Sequence, residues 1–385
     1  MPLRIAVIGA GHLGRFHAKL LGELDDVELV GVVDPVEESA LRVAAECNTS
    51  AIATVKDLLG RIDAAIVATP TRFHHAVGCE LLRNGVHVLI EKPLALNVAE
   101  CDELVRLAEQ ERRVLQVGHI ERFNPALDQA LPYLQNPKYI DAARYSGYTF
   151  RSTDIGVVLD LMIHDLDVVM MLVGSPVADV SAFGLALMGR HEDVARTRLH
   201  FANGAIADLS ASRVSYEAKR QMQVWSPAGH VNIDFATRTA VVAQPAAMLR
   251  NGSFDPDQLP LAEKARLKDR VFEELIPLKR LAAGATNALL DEQRDFITAI
   301  RAGRQPRVTG RQAREVIVVA ERILASIANQ QWRVDSEGAG VDRSVGDLVP
   351  AGERELRPDG GADILRGPHW HRTPVMPPRE IKRPA

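Results

Sequence analysis

Cysteine is scarce in this chain, and the few cysteines are widely spaced. Cys47, Cys79 and Cys101 are its three cysteines, and no two of them form a C-x-x-C pair. This spacing excludes a disulfide framework or a cysteine-based zinc site, so we expect no metal. It is typical of small buried hydrophobic residues in a reducing compartment.

Long apolar runs and an excess of either charge are also missing. We find no uninterrupted apolar stretch long enough to span a bilayer, and the chain enters a strand pattern at once, without a charged leader. Lys and Arg number 46 against 50 Asp and Glu, which gives a formal net charge of −4. This balance argues against nucleic acid as the main partner. We therefore expect a cytoplasmic protein that binds neither membranes nor nucleic acid.

The length of the chain predicts more than one domain. With 385 residues and 46% hydrophobic content, it is long enough for two domains and an appendage. We predict a first domain in residues 1–122, a second in residues 123–332 and a tail in residues 333–385. The tail is rich in Gly, Pro, Asp and Arg and has no sustained periodicity, so we expect it to be disordered.

Short apolar runs alternate with helical periodicity in the first domain. Residues 98–111, for example, place Leu104, Leu107 and Ala108 on one helical face. The apolar runs predict five buried parallel strands, at residues 4–7, 28–33, 64–68, 86–90 and 114–117. The pattern is that of a doubly wound α/β sheet, whose ligand lies at the carboxyl ends of the strands.

The second domain has a different pattern, with strands that follow one another directly. The dipeptide Asn203-Gly204, typical of two-residue hairpin turns, separates two of these strands. The strand runs are residues 138–150, 180–188, 197–201, 205–212, 222–225 and 230–235. Helical periodicity follows in residues 159–173, 291–301 and 310–327. We predict an α+β domain with an open, predominantly antiparallel sheet and helices on one face.

A glycine-rich motif follows the first predicted strand. Gly9, Gly11 and Gly14, with His12 and Leu13 between the last two, form G-x-G-x-x-G before an amphipathic stretch. These glycines allow a tight turn and let the backbone approach a pyrophosphate, which binds at the N-terminus of the next helix. The alternative is a glycine-rich turn in another parallel α/β fold.

Asp34 ends the second predicted strand, twenty residues after Gly14. A carboxylate at this distance accepts hydrogen bonds from the ribose hydroxyls of an adenosine and repels a 2′-phosphate. No Arg or Ser follows immediately to bind that phosphate. The sequence therefore favours NAD over NADP as the cofactor.

Lys92 stands at the carboxyl end of the predicted strand at residues 86–90, between Glu91 and Pro93. Next to a cationic nicotinamide ring, like charge and desolvation would disfavour its charged form. It could then exchange protons or donate a hydrogen bond to a substrate oxygen. Taken alone, a surface lysine at a strand end is the simpler interpretation.

Asp160 and His164 are spaced i, i+4, so an α-helix would place them on one face. A carboxylate beside an imidazole fixes its tautomer and raises its proton affinity, which suits a general base. We therefore predict that Asp160 orients His164. The alternative is a capping acid and a histidine with a structural partner.

Together these motifs resemble the Gfo/Idh/MocA family of NAD(P)-dependent oxidoreductases. The resemblance covers about residues 3–330 and extends to the segments at residues 201–205 and 295–306. It implies a Rossmann domain, a sheet domain that commonly mediates homo-oligomers (a dimer or a tetramer), and a catalytic set that falls on Lys92, Asp160 and His164. It also implies a cofactor site that includes, beyond the glycine motif and Asp34, the residues Thr69, Pro70, Thr71, His74, Glu91 and Lys92.

Two segments resemble a narrower branch of the family, the UDP-N-acetylglucosamine 3-dehydrogenases. They are residues 118–125 and residues 151–167. The resemblance implies that a sugar or its diphosphate contacts Lys92, Asp160 and His164 together with Arg122, Asn124, Arg151 and Arg213. For each of the last four residues, a structural role is the alternative.

The sequence thus predicts an NAD-dependent dehydrogenase that oxidises a secondary hydroxyl of a sugar, with C3 of UDP-N-acetylglucosamine as the predicted position. A free sugar or an inositol is an alternative substrate. A non-catalytic NAD-binding sensor is the alternative of a different class, but a sensor needs no Lys-Asp-His set for moving protons.

Overall fold

The computed structural model describes residues 1–330, apart from 283 and 285, and these residues lie in one compact unit. The predicted tail at residues 333–385 lies outside them, so its disorder stays a prediction. Within the described residues no helix is long and apolar enough to cross a membrane.

The first sheet has six parallel strands, in the spatial order β3-β2-β1-β4-β5-β6. They are β1 Leu3–Ile8, β2 Val27–Val33, β3 Ala51–Ile52, β4 Ala64–Val67, β5 His87–Glu91 and β6 Leu115–Gly118. The helices that follow its strands are α1 His12–Leu21, α2 Glu37–Glu46, α3 His74–Arg83 and α4 Val98–Gln110. The order reverses beside β1, which confirms the predicted doubly wound fold. The two-residue strand β3 was not predicted, because so short a strand has no periodicity to read.

The second sheet has eight strands, in the order β14-β13-β12-β11-β7-β10-β9-β8. They are β7 Tyr139–Tyr145, β8 Val177–Leu185, β9 Val194–Phe201, β10 Ile206–Ser212, β11 Lys219–Ser226, β12 Gly229–Asp234, β13 Thr239–Ala243 and β14 Leu278–Ala282. Its helices are α5 Pro125–Ala130, α6 Ile163–Val173, α7 Ala247–Arg250, α8 Leu261–Lys268, α9 Ala288–Ala302 and α10 Gly310–Ala328. Strands β7 and β10 pair in parallel and the other neighbours run antiparallel, which confirms the predicted sheet type.

The hairpin between β9 and β10 has a different turn from the predicted one. Phe201 N–H donates to the Ala205 carbonyl, and Gly204 N–H donates to the Phe201 carbonyl. The loop therefore has three residues, with Gly204 at a φ of +83° and Asn203 outside the left-handed region. A type I turn followed by a left-handed glycine produces this geometry, whereas the predicted two-residue turn needs positive φ at both positions.

The helix predicted at residues 159–173 also differs at its start. Residues Val158–Met162 form a π-helical turn, and the α-helix α6 begins only at Ile163. Single π turns inside helices occur frequently at functional sites. The predicted α-helix is therefore wrong at its first turn, which contains Asp160, whereas His164 lies in the α-helix that follows.

Helices near the end of the described chain pack against elements of both sheets. Phe296 and Ile297 of α9 are buried with Ile5 and Val7 of β1, on one face of the first sheet. Helix α10 packs against α4 on the opposite side of that sheet and against β8 of the second. The predicted division at residues 122 and 123 stays a prediction, but α9 completes the core of the first sheet from far along the chain.

Candidate active site

The glycine motif forms the turn from β1 into α1 and leaves open space for a ligand. Gly9 has a φ of +104°, and a Cβ added there would lie 2.5 Å from the Ala68 carbonyl oxygen. A Cβ at Gly14 would lie 1.8 Å from the Gly9 carbonyl oxygen, whereas one at Gly11 would meet nothing within 4 Å. The loop is thus tight where it packs and open where a pyrophosphate would approach, so these residues fit a dinucleotide.

Asp34 connects the end of β2 to this loop. Its carboxylate accepts a hydrogen bond from Ala10 N–H at 2.7 Å and one from Val36 N–H at 2.8 Å. A cavity beside it is also lined by Ser39 and Arg42, which α2 brings to the site. Sequence proximity alone missed this Ser and Arg, because they do not follow Asp34 directly and a helix brings them to the same cavity.

His74, predicted to bind the cofactor, is buried and contacts backbone instead. Its Nδ1 lies 2.8 Å from the Pro93 carbonyl oxygen and its Nε2 lies 2.9 Å from the Thr69 carbonyl oxygen. Burial lowers the pKa of His74. The side chain therefore lies between the two loops that begin at Thr69 and Lys92, and in its neutral form it donates a hydrogen bond to one of the two carbonyls. Thr71 is also buried, Pro70 is exposed, and the shielded Thr69 hydroxyl has no hydrogen-bond partner among the described residues.

Glu91, also predicted to bind the cofactor, turns its carboxylate toward α1. Its Oε1 lies 2.8 Å from His17 Nε2, and its Oε2 accepts a hydrogen bond from Lys92 N–H at 3.3 Å. Gln293 of α9 lies on the other side of this histidine, 2.9 Å from Nδ1. Glu91 is therefore part of a buried polar cluster beneath the site, and this position argues against a direct cofactor contact.

Lys92 meets Asp160 at the carboxyl end of β5. Its Nζ donates to the Asp160 carbonyl oxygen at 2.7 Å and lies 3.3 Å from Asp160 Oδ1. Both side chains are mostly shielded, with 14% and 20% exposure. Asp160 thus offers both its carbonyl and its carboxylate oxygen to the Lys92 ammonium. The pair links the loop after β5 to the π turn before α6.

His164 does not pair with Asp160, contrary to the sequence prediction. Its Nδ1 is shielded and has no hydrogen-bond partner among the described residues. Burial, followed by the positive charges of Lys92 and Arg144, lowers the pKa of His164 well below its ordinary value. The predicted rise in proton affinity is therefore wrong. The Asp160 carboxylate, which was predicted to raise the proton affinity of His164, is paired with Lys92 instead. The charged groups that act on the imidazole are cationic.

Three of the four polar residues predicted to contact the sugar or diphosphate are buried in structural contacts. Arg122 makes a bidentate pair with Asp167 at 2.6 and 3.0 Å. Asn124 caps α5, and Arg213 is paired with Asp193 at 2.7 Å. Their polar atoms are used inside the fold, so they present almost no surface to a ligand. Arg151 is exposed, with no hydrogen-bond partner in the part of the chain that the structure describes.

The structure adds polar residues that sequence reasoning missed. His119 directly follows β6, next to β5, and neither shielded ring nitrogen has a hydrogen-bond partner among residues with described positions. Arg144 of β7 donates to Asp165, the neighbour of His164, and to Glu121. The position of His119 after a predicted parallel strand could have identified it from the sequence. Arg144 could not have been identified in this way, because its partners are distant in sequence.

A Rossmann sheet with an open glycine loop, and a shielded lysine and histidine at its carboxyl edge, define an NAD(P)-dependent oxidoreductase. Comparison with known proteins agrees. Residues 3–119 match the family described as "Oxidoreductase family, NAD-binding Rossmann fold", and residues 117–232 match the "GFO/IDH/MocA C-terminal domain". The chain belongs to the Gfo/Idh/MocA family.

Two curated relatives are named for a sugar nucleotide and a polyol. The UDP-N-acetylglucosamine 3-dehydrogenase of Acidithiobacillus ferrooxidans is 35% identical over 330 residues, which cover 84% of this chain and 97% of that protein. The scyllo-inositol 2-dehydrogenase (NAD(+)) of Bacillus subtilis is 32% identical over 234 residues, covering 55% and 68%. This chain is accordingly a sugar or polyol dehydrogenase of the family.

A solved structure of the Acidithiobacillus ferrooxidans enzyme has the same fold. It superimposes with a TM-score of 0.75 at 33% identity, covering 85% of this chain and 98% of that one. A levoglucosan dehydrogenase in complex with NADH and levoglucosan shares the fold, with a TM-score of 0.73 at 18% identity. The predicted homo-oligomer and cytoplasmic location stay predictions.

Proposed function

We propose that this protein oxidises the C3 hydroxyl of UDP-N-acetylglucosamine to the 3-keto sugar, with NAD as hydride acceptor. The observation that carries the proposal is the shielded Lys92–Asp160 pair beside a neutral His164 at the carboxyl edge of the Rossmann sheet. The choice of substrate is supported by the 35% identity to an enzyme of that name across nearly the whole length of both chains.

The bound nicotinamide supplies a hydride acceptor, and the residues of this chain control the proton and the position of the substrate. His164, kept neutral by burial and nearby cations, accepts the hydroxyl proton. Lys92 donates a hydrogen bond to the same oxygen and stabilises the negative charge that develops on it. Asp160 positions the Lys92 ammonium through its carbonyl and carboxylate oxygens. Asp160 thus acts through the lysine and not, as the sequence predicted, through the histidine.

Inositol oxidation is the second candidate function, favoured by the 32% identity to a scyllo-inositol dehydrogenase. That similarity covers only 55% of this chain, so it supports the substrate less strongly. A sensor without turnover is a weaker candidate, because it gains nothing from holding a lysine and a neutral histidine together at the nicotinamide edge.

Turnover of purified protein with NAD distinguishes these candidates. We expect cofactor reduction with UDP-N-acetylglucosamine, and far less with free N-acetylglucosamine, glucose or inositols. His164→Ala and Lys92→Met should each lose roughly 10²–10⁴-fold in kcat while retaining NAD affinity. Rapid turnover of an inositol, with none of the UDP-sugar, would overturn the proposed substrate. Near-normal turnover by His164→Ala would remove it as the proton acceptor.

The pH dependence tests the state of His164 directly. Because its pKa is lowered, the imidazole remains unprotonated and able to accept a proton below the pH at which an ordinary histidine titrates. We therefore expect kcat/KM to stay constant as the pH falls from neutrality through about 6.5, the ordinary histidine pKa, and to decrease only below it. An acid limb centred above that value would contradict this assignment.

A further inference from the structure

Arg220, near the start of β11, lies on the same face of the second sheet as the buried core. It pairs in register with Arg144 of β7, and directly opposite residues of an antiparallel pair project from the same face. Along β11, Met222 and Val224 of this face are buried, yet Arg220 is exposed. Arg220 therefore lies where the covering layer of this face ends and the site opens.

The charge of Arg220 is not neutralised by an ion pair among the described residues, whereas the charge of its cross-strand neighbour Arg144 is. Arg144 contacts Asp165 and Glu121 at 2.8 Å each, whereas the described residues provide no ion pair or side-chain hydrogen bond for Arg220. Like charges directly opposite each other on a sheet are destabilising. The carboxylate of Asp165 already receives two hydrogen bonds from Arg144. The second guanidinium of this pair thus lacks an anion of its own.

The cation is also close to the proposed reaction centre. Asp165, which binds the cross-strand neighbour of Arg220, directly follows His164 in α6. Arg220 is among the positive charges that lower the pKa of His164. An anionic substituent on a sugar whose hydroxyl meets His164 therefore lies within reach of a long, exposed arginine side chain.

We propose that Arg220 binds a phosphate group of the substrate and thereby selects phosphorylated sugars. This rests on the proposed function and assigns to Arg220 a role that the sequence had given to Arg122, Asn124, Arg151 and Arg213, of which Arg151 alone is exposed. A guanidinium presents paired N–H donors that match two phosphate oxygens. A sugar 1-phosphate and a nucleoside diphosphate sugar share this chemistry.

The test uses NAD-saturated protein with Arg220→Gln, Arg220→Lys and the matched control Arg250→Gln. Arg250, in α7, is another exposed arginine without an ion pair in the described ranges. With UDP-N-acetylglucosamine, we expect Arg220→Gln to lower kcat/KM roughly 10- to 100-fold, chiefly through KM, since a charge-assisted hydrogen bond is lost. Arg220→Lys should recover part of the loss, and Arg250→Gln should match the unmodified protein. NAD affinity should be the same in all four proteins.

Salt and substrate series separate the possible outcomes. Added salt should raise the KM of the unmodified protein for the UDP-sugar and affect Arg220→Gln less. N-acetylglucosamine 1-phosphate should respond to the substitution as the UDP-sugar does if one phosphate suffices, whereas free N-acetylglucosamine should not respond. Equal kcat/KM and equal salt dependence in Arg220→Gln and unmodified protein would overturn the role of Arg220 alone.

Failure of the proposed function has a different signature. Turnover of neutral inositols only, unchanged by Arg220→Gln, would overturn both proposals. Turnover of another anionic sugar, such as a different sugar phosphate, that requires Arg220 would reject UDP-N-acetylglucosamine and support the arginine's role. If instead a sugar acid is turned over and its turnover requires Arg220, then Arg220 binds a carboxylate. That result would overturn the proposed selection for phosphate.

Discussion

Glu292 of α9 is a buried carboxyl group that no sequence pattern singled out. It is fully buried, and neither carboxyl oxygen has a hydrogen-bond partner among the residues that the structure describes. Burial and the nearby charge of Glu91 raise its pKa well above the ordinary value. The protonated form of Glu292 is therefore favoured in the folded state, next to the cluster in which Glu91 contacts His17.

This protonation predicts an unusual pH dependence of stability. The folded state holds the Glu292 proton above the pH at which the unfolded state releases it, so this group lowers the free energy of unfolding as the pH rises. Glu292→Gln keeps the shape and removes the titration. We expect its stability relative to the unmodified protein to increase between pH 5 and pH 8, by up to roughly 1.4 kcal/mol per pH unit.

Urea denaturation at both pH values measures this difference. Glu23→Gln, which changes an exposed glutamate, serves as the control and should show no such trend. A stability difference between Glu292→Gln and the unmodified protein that stays constant with pH would show that Glu292 does not retain its proton in the folded state.

Individual functional residues were predictable where a motif fixes them to a strand end. Asp34 and Lys92 both stand at the carboxyl edge of the parallel sheet, as their positions after apolar runs predicted. Arg122 and Arg213 could not be assigned in this way, because their partners Asp167 and Asp193 lie 45 and 20 residues away. Whether an arginine is buried in an ion pair or free for a ligand depends on such distant contacts.

Helix α2, an element that the cofactor prediction did not consider, contributes two polar side chains to the cavity beside Asp34. It places Ser39 and Arg42 on the wall of the same cavity as the Asp34 carboxylate, which would repel a 2′-phosphate. The cavity thus contains a potential partner for that phosphate together with a group that excludes it. Discrimination between NAD and NADP is therefore expected to depend mainly on Asp34.

Substitution of Asp34 tests this balance. The unmodified protein should bind NAD more tightly than NADP, and Asp34→Ser should improve NADP binding roughly tenfold as repulsion is removed and Arg42 becomes available. The double variant Asp34→Ser/Arg42→Gln should lose that gain, while Arg42→Gln alone should leave the preference for NAD. Titration calorimetry with both dinucleotides measures each affinity. Equal affinities in the unmodified protein would contradict the role of Asp34.

Element types were predictable where a regular period extends over several residues. The five longer parallel strands and helix α4 follow the apolar pattern to within one or two residues. The π turn at Val158–Met162 was not predictable, because its sequence also fits an α-helix and its geometry depends on packing. Asp160 lies in this turn and contacts Lys92 instead of His164.

At the scale of the whole molecule, the first sheet obtains part of its core from α9. Phe296 is fully buried, and Gln293 and Arg301 of the same helix bond to His17 and Asp26. Stretches nearly 300 residues apart thus form one packed layer. Because α9 belongs to this layer, the stability of the dinucleotide-binding sheet depends on contacts with a segment far along the described chain.

Phe296→Ala should therefore destabilise the fold by about 3–5 kcal/mol, the usual cost of deleting a buried phenylalanine side chain. Because the cavity opens against β1 and α1, NAD affinity should fall as well. Phe272→Ala, at a side chain that is 62% exposed, should change stability by less than about 0.5 kcal/mol. Urea denaturation with and without NAD measures both effects. A loss under about 1 kcal/mol in Phe296→Ala would show that α9 is dispensable to this core.

Because α9 is translated long after the strands that it covers, its position in the chain has a consequence for biosynthesis. The nascent chain completes β6 at Gly118, yet the helix that covers β1 and α1 is not translated until residue 302. During that interval Ile5 and Val7 lack the part of their apolar cover that Phe296 and Ile297 provide, and His17 lacks Gln293 beside it. The segment through Gly118 therefore leaves the ribosome with all the strands of its sheet but before the helix that completes one face of that sheet. Transiently exposed apolar surface of this kind is prone to aggregation until the covering helix has been made.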